Sequence, residues 1–218
     1  MEQTFLIAGN QAKINSDIAQ EILSLKHRAL ITLEPDTEGP TIPPGLESNL
    51  HYVEWNRRSP ISARFVILQA LNKQIEIDHA VLLFTPRNIK ESIQEMSSAT
   101  VEEKIDFDVK GYLFLLKELI NYFLKRRAGS ITFIMQNTGP DVLPPMDALI
   151  QGSFFNLAES MFSFYESEIF SMHGIETRLP ANRQISEFAI QLILENSPRN
   201  RGKWIKYTGK NGLFSFGH

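Results

Sequence analysis

Two aspartates are the residues of this sequence best suited to acid–base chemistry. Asp108 and Asp147 each stand near the start of a long apolar segment, and both would project toward the crevice at the ends of a sheet's strands. Two carboxylates forced together raise the pKa of one of them, which suits it to proton transfer. If they lie apart, they are ordinary acids at helix N-termini, where negative charge suits the helix dipole. We prefer this second interpretation.

Other common kinds of site have little support. Cysteine is absent, which excludes disulfides, thiolate zinc sites and cysteine nucleophiles. No Gly-x-Ser-x-Gly is present, which disfavours a serine hydrolase. The histidines are scattered, without the spacing of a metal site, so we predict no metal. They are His27, His51, His79, His173 and His218.

The composition is that of an ordinary globular protein. With 218 residues, 43% of them hydrophobic and 22% charged, the chain 1–218 suits a single domain. A net charge of -3 and a pI near 6.0 provide no basic field, so we expect neither nucleic acid nor membrane as a partner. No apolar run reaches the ~18 residues of a membrane span. No signal peptide is visible, and we expect a cytoplasmic protein.

Short apolar runs alternate with longer helical patterns, which is typical of βαβ units around a parallel sheet. The predicted strands are 4–8, 29–33, 50–55, 79–84, 130–135, 174–178 and 203–207. The predicted helices are 16–26, 60–71, 101–127, 146–172 and 187–195, with a loop over 37–47. We therefore predict a Rossmann-like, doubly wound α/β domain, with a mostly parallel sheet of about seven strands and helices on both faces.

Two features of the predicted helices concern packing. The helix over 60–71 is expected to turn Phe65, Leu68 and Leu71 toward the core. The helices over 101–127 and 146–172 are apolar on nearly every side. A helix packed only on its own sheet needs a single apolar stripe, so these two are expected to be buried against something further.

The turn after the first predicted strand reads Ala8-Gly9-Asn10-Gln11-Ala12-Lys13-Ile14-Asn15. With the order of elements, it resembles the short-chain dehydrogenase/reductase family, whose turn is Thr-Gly-x-x-x-Gly-x-Gly. Gly9 keeps the first glycine, while Lys13 and Asn15 replace the other two. In a dinucleotide fold those glycines let the backbone approach the pyrophosphate and let the helix pack close to the strand. Lys13 would either clamp a phosphate or fill or cap the empty site, and we prefer the second interpretation.

Other positions extend the resemblance along the chain. Glu34, after the second strand, stands where dinucleotide enzymes place the acid that binds the adenosine ribose, although one acid at a strand end is common by chance. The run 202–210 resembles the family's C-terminal Gly-Gln-x-Ile-x-x-Asp-Gly-Gly strand and turn. If NAD(P) binds, Gly9, Lys13, Asn15 and Glu34 are the candidate contacts. Whether it binds stays open.

The family's catalytic positions are all changed. Where the family has Tyr-x-x-x-Lys, the sequence reads Asp147-Ala148-Leu149-Ile150-Gln151. That Tyr donates the proton, and the Lys lowers its pKa and holds the nicotinamide ribose. Asp147 with Gln151 cannot reproduce this pairing. The family's Asn falls on Asp108, and its Ser falls on or beside Gln136. The resemblance thus implies the fold without a catalytic site.

The resemblance also implies a partner subunit and a site that is open to water. In the family, the long helices corresponding to 101–127 and 146–172 commonly pair with those of a second subunit, so we expect a homodimer or homotetramer. The short loop 179–185 stands where active relatives carry a substrate-covering segment, which would leave any site open to water. Three functions remain. The first is a non-catalytic protein that acts through assembly or partner binding. The second is an enzyme, either an NAD(P)-dependent oxidoreductase with an atypical site or one that uses Asp108, Asp147 and Gln151 for a different reaction, and the third is a protein that binds another nucleotide or small ligand in the crevice.

Overall fold

One parallel sheet organises the chain. The computed structural model describes residues 1–40, 42–181 and 183–209, apart from the side chain of Ala12. Within these residues, seven strands pair in the order β3-β2-β1-β4-β5-β6-β7, and every pairing is parallel. The strands are β1 (Thr4–Gly9), β2 (Arg28–Leu33), β3 (Leu50–Glu54), β4 (His79–Phe84), β5 (Ser130–Gln136), β6 (Ser171–Thr177) and β7 (Trp204–Tyr207).

Helices cover both faces of this sheet, which confirms the predicted doubly wound α/β fold. They are α1 (Ala12–Ser24), α2 (Pro60–Asn72), α3 (Ser98–Ile105), α4 (Gly111–Arg126), α5 (Pro145–Phe164) and α6 (Arg183–Glu195). A π-helical turn, Asp106–Lys110, joins α3 to α4. Helices α2, α4 and α5 pack on one face, and α1 and α6 pack on the other.

The position of β4 at the centre of the sheet explains why its sequence is apolar throughout. All of its residues are buried. Side chains alternate between the faces of a sheet. Leu82 and Phe84 accordingly belong to the core under α2, α4 and α5, while Val81 and Leu83 belong to the core under α1 and α6. A strand with a core on each face needs a continuous apolar run.

Several predicted boundaries are wrong. Helix α1 begins at Ala12 rather than at residue 16, because Lys13 and Asn15 favour a helix more than the glycines they replace. The helix predicted over 146–172 ends at Phe164, and β6 begins at Ser171. Between them, buried Phe170 packs on Phe123 and Tyr165 and draws the chain back to the sheet. Helix α6 begins four residues before its predicted start.

The predicted inner face of α2 is also wrong. Phe65, Leu68 and Leu71 are exposed, by 51%, 36% and 43%. The buried residues of α2 are Ala63, Val66, Ile67 and Ala70. Because α2 carries apolar side chains on both of these faces, periodicity alone could not decide which face is buried.

The long helices bury most of their apolar residues inside this chain. The buried apolar residues of α4 are Tyr112, Leu115, Leu116, Leu119, Ile120 and Phe123. On α5, Phe155 stacks on Trp204 of β7 with ring centres 4.8 Å apart. Exposed apolar residues remain at Leu113 and Leu124 on α4 and at Leu149 and Phe164 on α5. The apolar surface that these helices leave uncovered is therefore smaller than the sequence suggests.

None of the helices in the described part of the chain combines the length and the apolar character needed to cross a membrane. The C-terminal motif predicted over 202–210 ends at Lys210, which lies outside the described residues.

Candidate functional site

The candidate site is the crevice at the C-terminal ends of β1 and β4. These strands are neighbours, and the chain adds strands outward from them in opposite directions. The loops that follow them therefore diverge, and open α/β sheets bind their ligands at such a point. Four of the predicted site residues, Gly9, Glu34, Gln136 and Asp147, lie along this edge of the sheet.

Asn15 inserts its amide between α1 and the end of β1. A Cβ built on Gly9 would lie 2.0 Å from Asn15 Oδ1, and Asn15 Nδ2 donates to the Gly9 carbonyl at 3.3 Å. Asn15 is buried, at the position of the glycine that lets helix and strand pack closely in dinucleotide folds. Lys13 is exposed, so Asn15 rather than Lys13 fills this part of the site.

Asn10 connects the loops that follow β1 and β4 through two hydrogen bonds to the backbone of Thr85. Its Nδ2 donates to the Thr85 carbonyl at 2.8 Å, and the Thr85 N–H donates to its Oδ1 at 3.0 Å. The Thr85 hydroxyl lies 3.4 Å from Gln136 Oε1, and Gln136 Nε2 donates to the Leu179 carbonyl at 2.9 Å. A row of polar contacts thus joins the ends of β1, β4 and β5 to the segment after β6.

Arg57 occupies the other side of the crevice, next to Glu34. Its side chain is 3% exposed, and its Nη2 donates to the Gly9 carbonyl oxygen. Its Nε lies 3.1 Å from Glu34 Oε1. Burial raises the pKa of the Glu34 carboxyl, and the charge of Arg57 opposes that shift. The acid predicted to bind a ribose therefore has an arginine of this chain as its partner.

Aromatic rings enclose the guanidinium groups of two arginines. The guanidinium carbon of Arg57 lies 4.4 Å from the ring centre of Trp55 and 4.9 Å from that of Tyr112. Phe107, in the π-helical turn, lies 5.0 Å from this carbon and 4.7 Å from the guanidinium carbon of Arg87. An arginine over an aromatic face is attracted by the ring's quadrupole, and more strongly when water is excluded.

Asp108 completes the row on the side of α4. It is 2% exposed, and Arg87 Nη2 donates to its Oδ1 at 3.1 Å. Arg87 Nε lies 3.0 Å from its Oδ2. Glu34, Arg57, Phe107, Arg87 and Asp108 thus form one continuous series of contacts, which we call the arginine–aromatic row. It runs along the crevice from the end of β2 to the start of α4.

Asp147 is held by backbone N–H groups. It lies in the first turn of α5, is 1% exposed, and accepts from the Arg87 N–H at 3.1 Å and the Ile89 N–H at 2.7 Å. The structure therefore brings Asp108 and Asp147 to the same residue, one to the side chain of Arg87 and one to its backbone. Each carboxylate is bound by its own donors: Asp108 by the guanidinium of Arg87, and Asp147 by two backbone N–H groups.

The four changed catalytic positions differ in their surroundings. Asp147 is the helix N-terminal acid that the sequence predicts, but that prediction is wrong for Asp108, which lies inside the continuous helical segment from α3 to α4. Gln136 is the last residue of β5. Gln151 is half-buried, and its Oε1 has no hydrogen-bond partner among the described residues.

Tyr112 is a tyrosine beside the arginine–aromatic row. It is 2% exposed, and its hydroxyl donates to the Leu83 carbonyl of β4. Burial raises the pKa of Tyr112, and the charge of Arg57 acts in the opposite direction. A buried hydroxyl bonded to a strand carbonyl is not placed to protonate a substrate.

Comparisons with known proteins show the fold. No protein-family model matches the sequence. An uncharacterised protein of Treponema pallidum (strain Nichols) is 23% identical over 167 residues, which cover 74% of this chain and 75% of that protein. The structure of ElxO with NADP bound is 14% identical, with a TM-score of 0.79 over 94% of this chain and 97% of that one. A Burkholderia multivorans protein described as a short-chain alcohol dehydrogenase is 13% identical, with a TM-score of 0.77 over 96% and 98% of the two chains.

The chain therefore has the fold of short-chain dehydrogenases, but its crevice does not fit a dinucleotide in the way that the resemblance implies. The Asn15 side chain occupies the space next to Gly9, and Arg57 pairs with the acid at the ribose position. No group of three or more His, Asp or Glu side chains comes together as a metal site in the ranges that the structure describes.

Proposed function

We propose that this chain is a pseudoenzyme on the short-chain dehydrogenase/reductase fold, which acts through assembly or through ligand or partner binding. The observation that carries the proposal is the arginine–aromatic row. Side chains of the chain itself pair with the acids at the ribose and catalytic positions, Glu34 and Asp108. A cofactor would have to displace these pairs in order to use the acids.

The hydrogen bonds of Asp147 also support the proposal of a pseudoenzyme. A proton donor must be within reach of the substrate, and its help is typically worth ~10²–10⁴-fold in rate. Asp147 instead accepts two backbone N–H groups, which hold the loop after β4 against α5. This contact gives Asp147 a structural role in place of the tyrosine's catalytic one.

The alternative is an NAD(P)-dependent oxidoreductase with an atypical site. It is favoured by the likeness in fold to ElxO, which was solved with NADP bound. It is also favoured by the exposed Lys13 in the first turn of α1, where a cation and the helix N-terminus would both attract a phosphate.

Titration with NADPH and NADH separates the two functions. We expect no change in nicotinamide fluorescence, and no heat in calorimetry, at millimolar cofactor. The matched variant is Lys13→Gly with Asn15→Gly, which restores the family's glycines but leaves the arginine–aromatic row in place. It is expected to gain little affinity, because Arg57 still holds Glu34. Micromolar binding by the unaltered protein would overturn the proposal in favour of the oxidoreductase.

Assembly is proposed to use α4 and α5, giving a homodimer or homotetramer. Its support is the exposed apolar surface on both helices, where Leu113 is 49% and Phe164 is 79% exposed. In light scattering at micromolar concentration, Leu113→Glu is expected to yield monomers. The control is Leu71→Glu on α2, a leucine of similar exposure at 43%, which is expected to leave the mass unchanged. A monomeric mass for the unaltered protein would contradict the proposal.

A further inference from the structure

Strand β3 forms one edge of the sheet, since among the described strands it pairs with β2 alone. The backbone groups of successive residues in a strand point alternately to its two sides. The Trp55 N–H donates to the Leu33 carbonyl at 2.7 Å, so the odd-numbered residues of this segment pair with β2. Leu50, Tyr52 and Glu54 therefore turn their N–H and C=O groups toward the open side, where another strand could pair.

The surface around this edge favours pairing with another chain. A strand edge with free backbone groups is a template for such pairing. Strand β3 includes Tyr52 and Val53, which are residue types enriched in strands, and it contains no proline. Beside it lies a groove of about 340 Å³, which the exposed Ile61 and Phe65 of α2 line together with Glu54. Pairing at this edge would therefore bring apolar side chains into contact as well.

Two side chains of α2 and its C-terminus already occupy backbone groups of this edge. Gln69 Oε1 accepts from the Glu54 N–H at 3.3 Å, and Gln69 Nε2 donates to the Glu54 carbonyl at 3.1 Å. Lys73, which directly follows α2, donates from Nζ to the Tyr52 carbonyl at 3.2 Å. A glutamine amide has one acceptor oxygen and N–H donors, as a peptide group has. Gln69 thus takes the place that the backbone of an adjacent strand would have.

The spacing of the two side chains matches the spacing of the strand. Gln69 and Lys73 stand four residues apart on one side of the helix, which is about 6 Å along its axis. Glu54 and Tyr52 stand two residues apart, which is about 6.6 Å along the strand. Because these distances nearly agree, each side chain reaches the outward-facing residue beside it. One helical turn therefore covers two successive pairing positions of β3.

We propose that Gln69 and Lys73 close this edge of the sheet against a second copy of the chain. Without them, β3 of one copy pairs with β3 of another and joins the two sheets. With them in place, an incoming strand has to displace three hydrogen bonds and bury the charge of Lys73. The inference concerns the β3 edge rather than α4 and α5. It does not depend on the proposed function, because its test compares variants with the unaltered protein, whatever the mass of that protein is.

Removing both side chains from the full-length chain tests the proposal. Gln69→Ala with Lys73→Ala is expected to raise the association constant of the chain about tenfold or more, since one net hydrogen bond corresponds to nearly that factor. Light scattering over a series of protein concentrations measures it, as a mass that rises with concentration above that of the unaltered protein.

Two further variants are the controls. Arg64→Ala with Asn72→Ala removes two exposed polar side chains of the same helix and is expected to leave the mass unchanged. Lys73→Arg keeps a donor for the Tyr52 carbonyl and is also expected to leave the mass unchanged. Association of either control to the same extent as Gln69→Ala with Lys73→Ala would overturn the proposal.

Hydrogen exchange shows where the new contact forms. The amides of residues 50–54 are expected to exchange several-fold more slowly in the associated double variant than in the unaltered protein, because strand pairing protects the outward N–H groups. Loss of stability alone would have the opposite effect, since exchange in this strand would become faster. An unchanged mass for Gln69→Ala with Lys73→Ala would overturn the proposal. Association with unchanged or faster exchange in 50–54 would overturn it as well, because the new contact would then lie elsewhere.

Discussion

Arg87 contacts the buried carboxylate of Asp108 with two of its guanidinium nitrogens. Nη2 donates to Oδ1 at 3.1 Å and Nε lies 3.0 Å from Oδ2, while Asp108 is 2% exposed. Asp108 lies in the π-helical turn between α3 and α4, and Arg87 lies in the loop after β4. The contact therefore ties the loop after β4 to the long helical segment from α3 to α4.

Removing Arg87 is expected to destabilise the fold strongly. Arg87→Ala leaves the charge of Asp108 buried without its cation, which typically costs about 3–5 kcal/mol. The side chain of Arg87 is 31% exposed, so water offsets part of the loss, and we expect a decrease of about 2–3 kcal/mol in the free energy of unfolding. Urea unfolding at pH 7 measures it. Adding Asp108→Asn should recover part of the loss.

An exposed arginine pair provides the control for this experiment. Arg183 pairs with Glu187 at 2.7 Å on the surface of α6, with side chains 84% and 45% exposed. Exposed pairs contribute about 0–1 kcal/mol, so Arg183→Ala should change the free energy of unfolding by less than that. Similar losses for Arg87→Ala and Arg183→Ala would show that the Asp108 contact does not stabilise the loop.

Asp147→Asn is expected to loosen the loop after β4. An asparagine keeps one acceptor oxygen but turns an NH₂ group toward one of the N–H donors of Arg87 and Ile89. Hydrogen bonds to a charged group contribute about 1.5–3 kcal/mol, so a loss of about 2 kcal/mol is expected, with faster hydrogen exchange in 87–97. The control, Asp106→Asn, removes a partly exposed pair with Lys110 and should cost under about 1 kcal/mol. Unchanged exchange in Asp147→Asn would rule out this structural role.

The sheet could be predicted because a strand that is buried on both faces has a continuous apolar sequence. The continuous apolar run of β4 can be satisfied only between two cores, and its neighbours show the same pattern. Helix faces were less predictable. On α2, the exposed Phe65, Leu68 and Leu71 are larger than the buried Ala63 and Ala70, so a prediction based on apolar size selected the wrong side.

The candidate site could be predicted only as a set of positions. The resemblance located Gly9, Glu34, Asp108 and Asp147, but no pattern identified their partners. The sequence gives no signal for Arg87, because it comes from a loop whose path depends on tertiary contacts. A weak signal existed for Arg57, a charged residue two positions after the buried Trp55. Pairings between such distant residues depend on the folded backbone.

Two buried histidines should make stability depend on pH. His79 lies 2.7 Å from the Ser130 hydroxyl and His173 lies 3.1 Å from that of Thr132. Burial lowers the pKa of each imidazole from 6.5 to about 4. As the pH falls below 6.5, the unfolded chain binds protons that the folded chain does not. The free energy of unfolding should therefore be constant above pH 6.5, fall toward pH 4, and stay low below it.

The expected size of this effect is at most about 2 kcal/mol for each histidine between pH 7 and pH 5. Urea unfolding at pH 7, 6 and 5 measures it. His79→Asn with His173→Asn should remove most of the dependence, even if both proteins lose stability at pH 7. His51→Asn, at a half-buried position, should remove much less. Equal slopes in the unaltered protein and the double variant would show that these two imidazoles are not responsible.

Adjacent arginines allow a test of the arginine–aromatic row itself. Arg57 has a side chain that is 3% exposed and lies among aromatic rings, whereas the side chain of Arg58 is 54% exposed and pairs with Glu103 on the surface. A lysine keeps the charge, but it lacks the planar group that can pair with Glu34 and pack on rings at the same time. Arg57→Lys is therefore expected to lower the free energy of unfolding by about 2–3 kcal/mol, as for other disrupted buried networks.

The matched variant Arg58→Lys should change the free energy of unfolding by less than about 0.5 kcal/mol, because its pair is exposed. Urea unfolding of both variants at pH 7 gives the comparison, and the NADPH titration should be repeated on each. If the row stabilises the crevice, Arg57→Lys unfolds at a lower urea concentration than the unaltered protein, and Arg58→Lys does not. If Arg57→Lys has the same free energy of unfolding as the unaltered protein and also binds NADPH, the arginine–aromatic row blocks a cofactor site without stabilising the crevice. The oxidoreductase function would then be the better account of this chain.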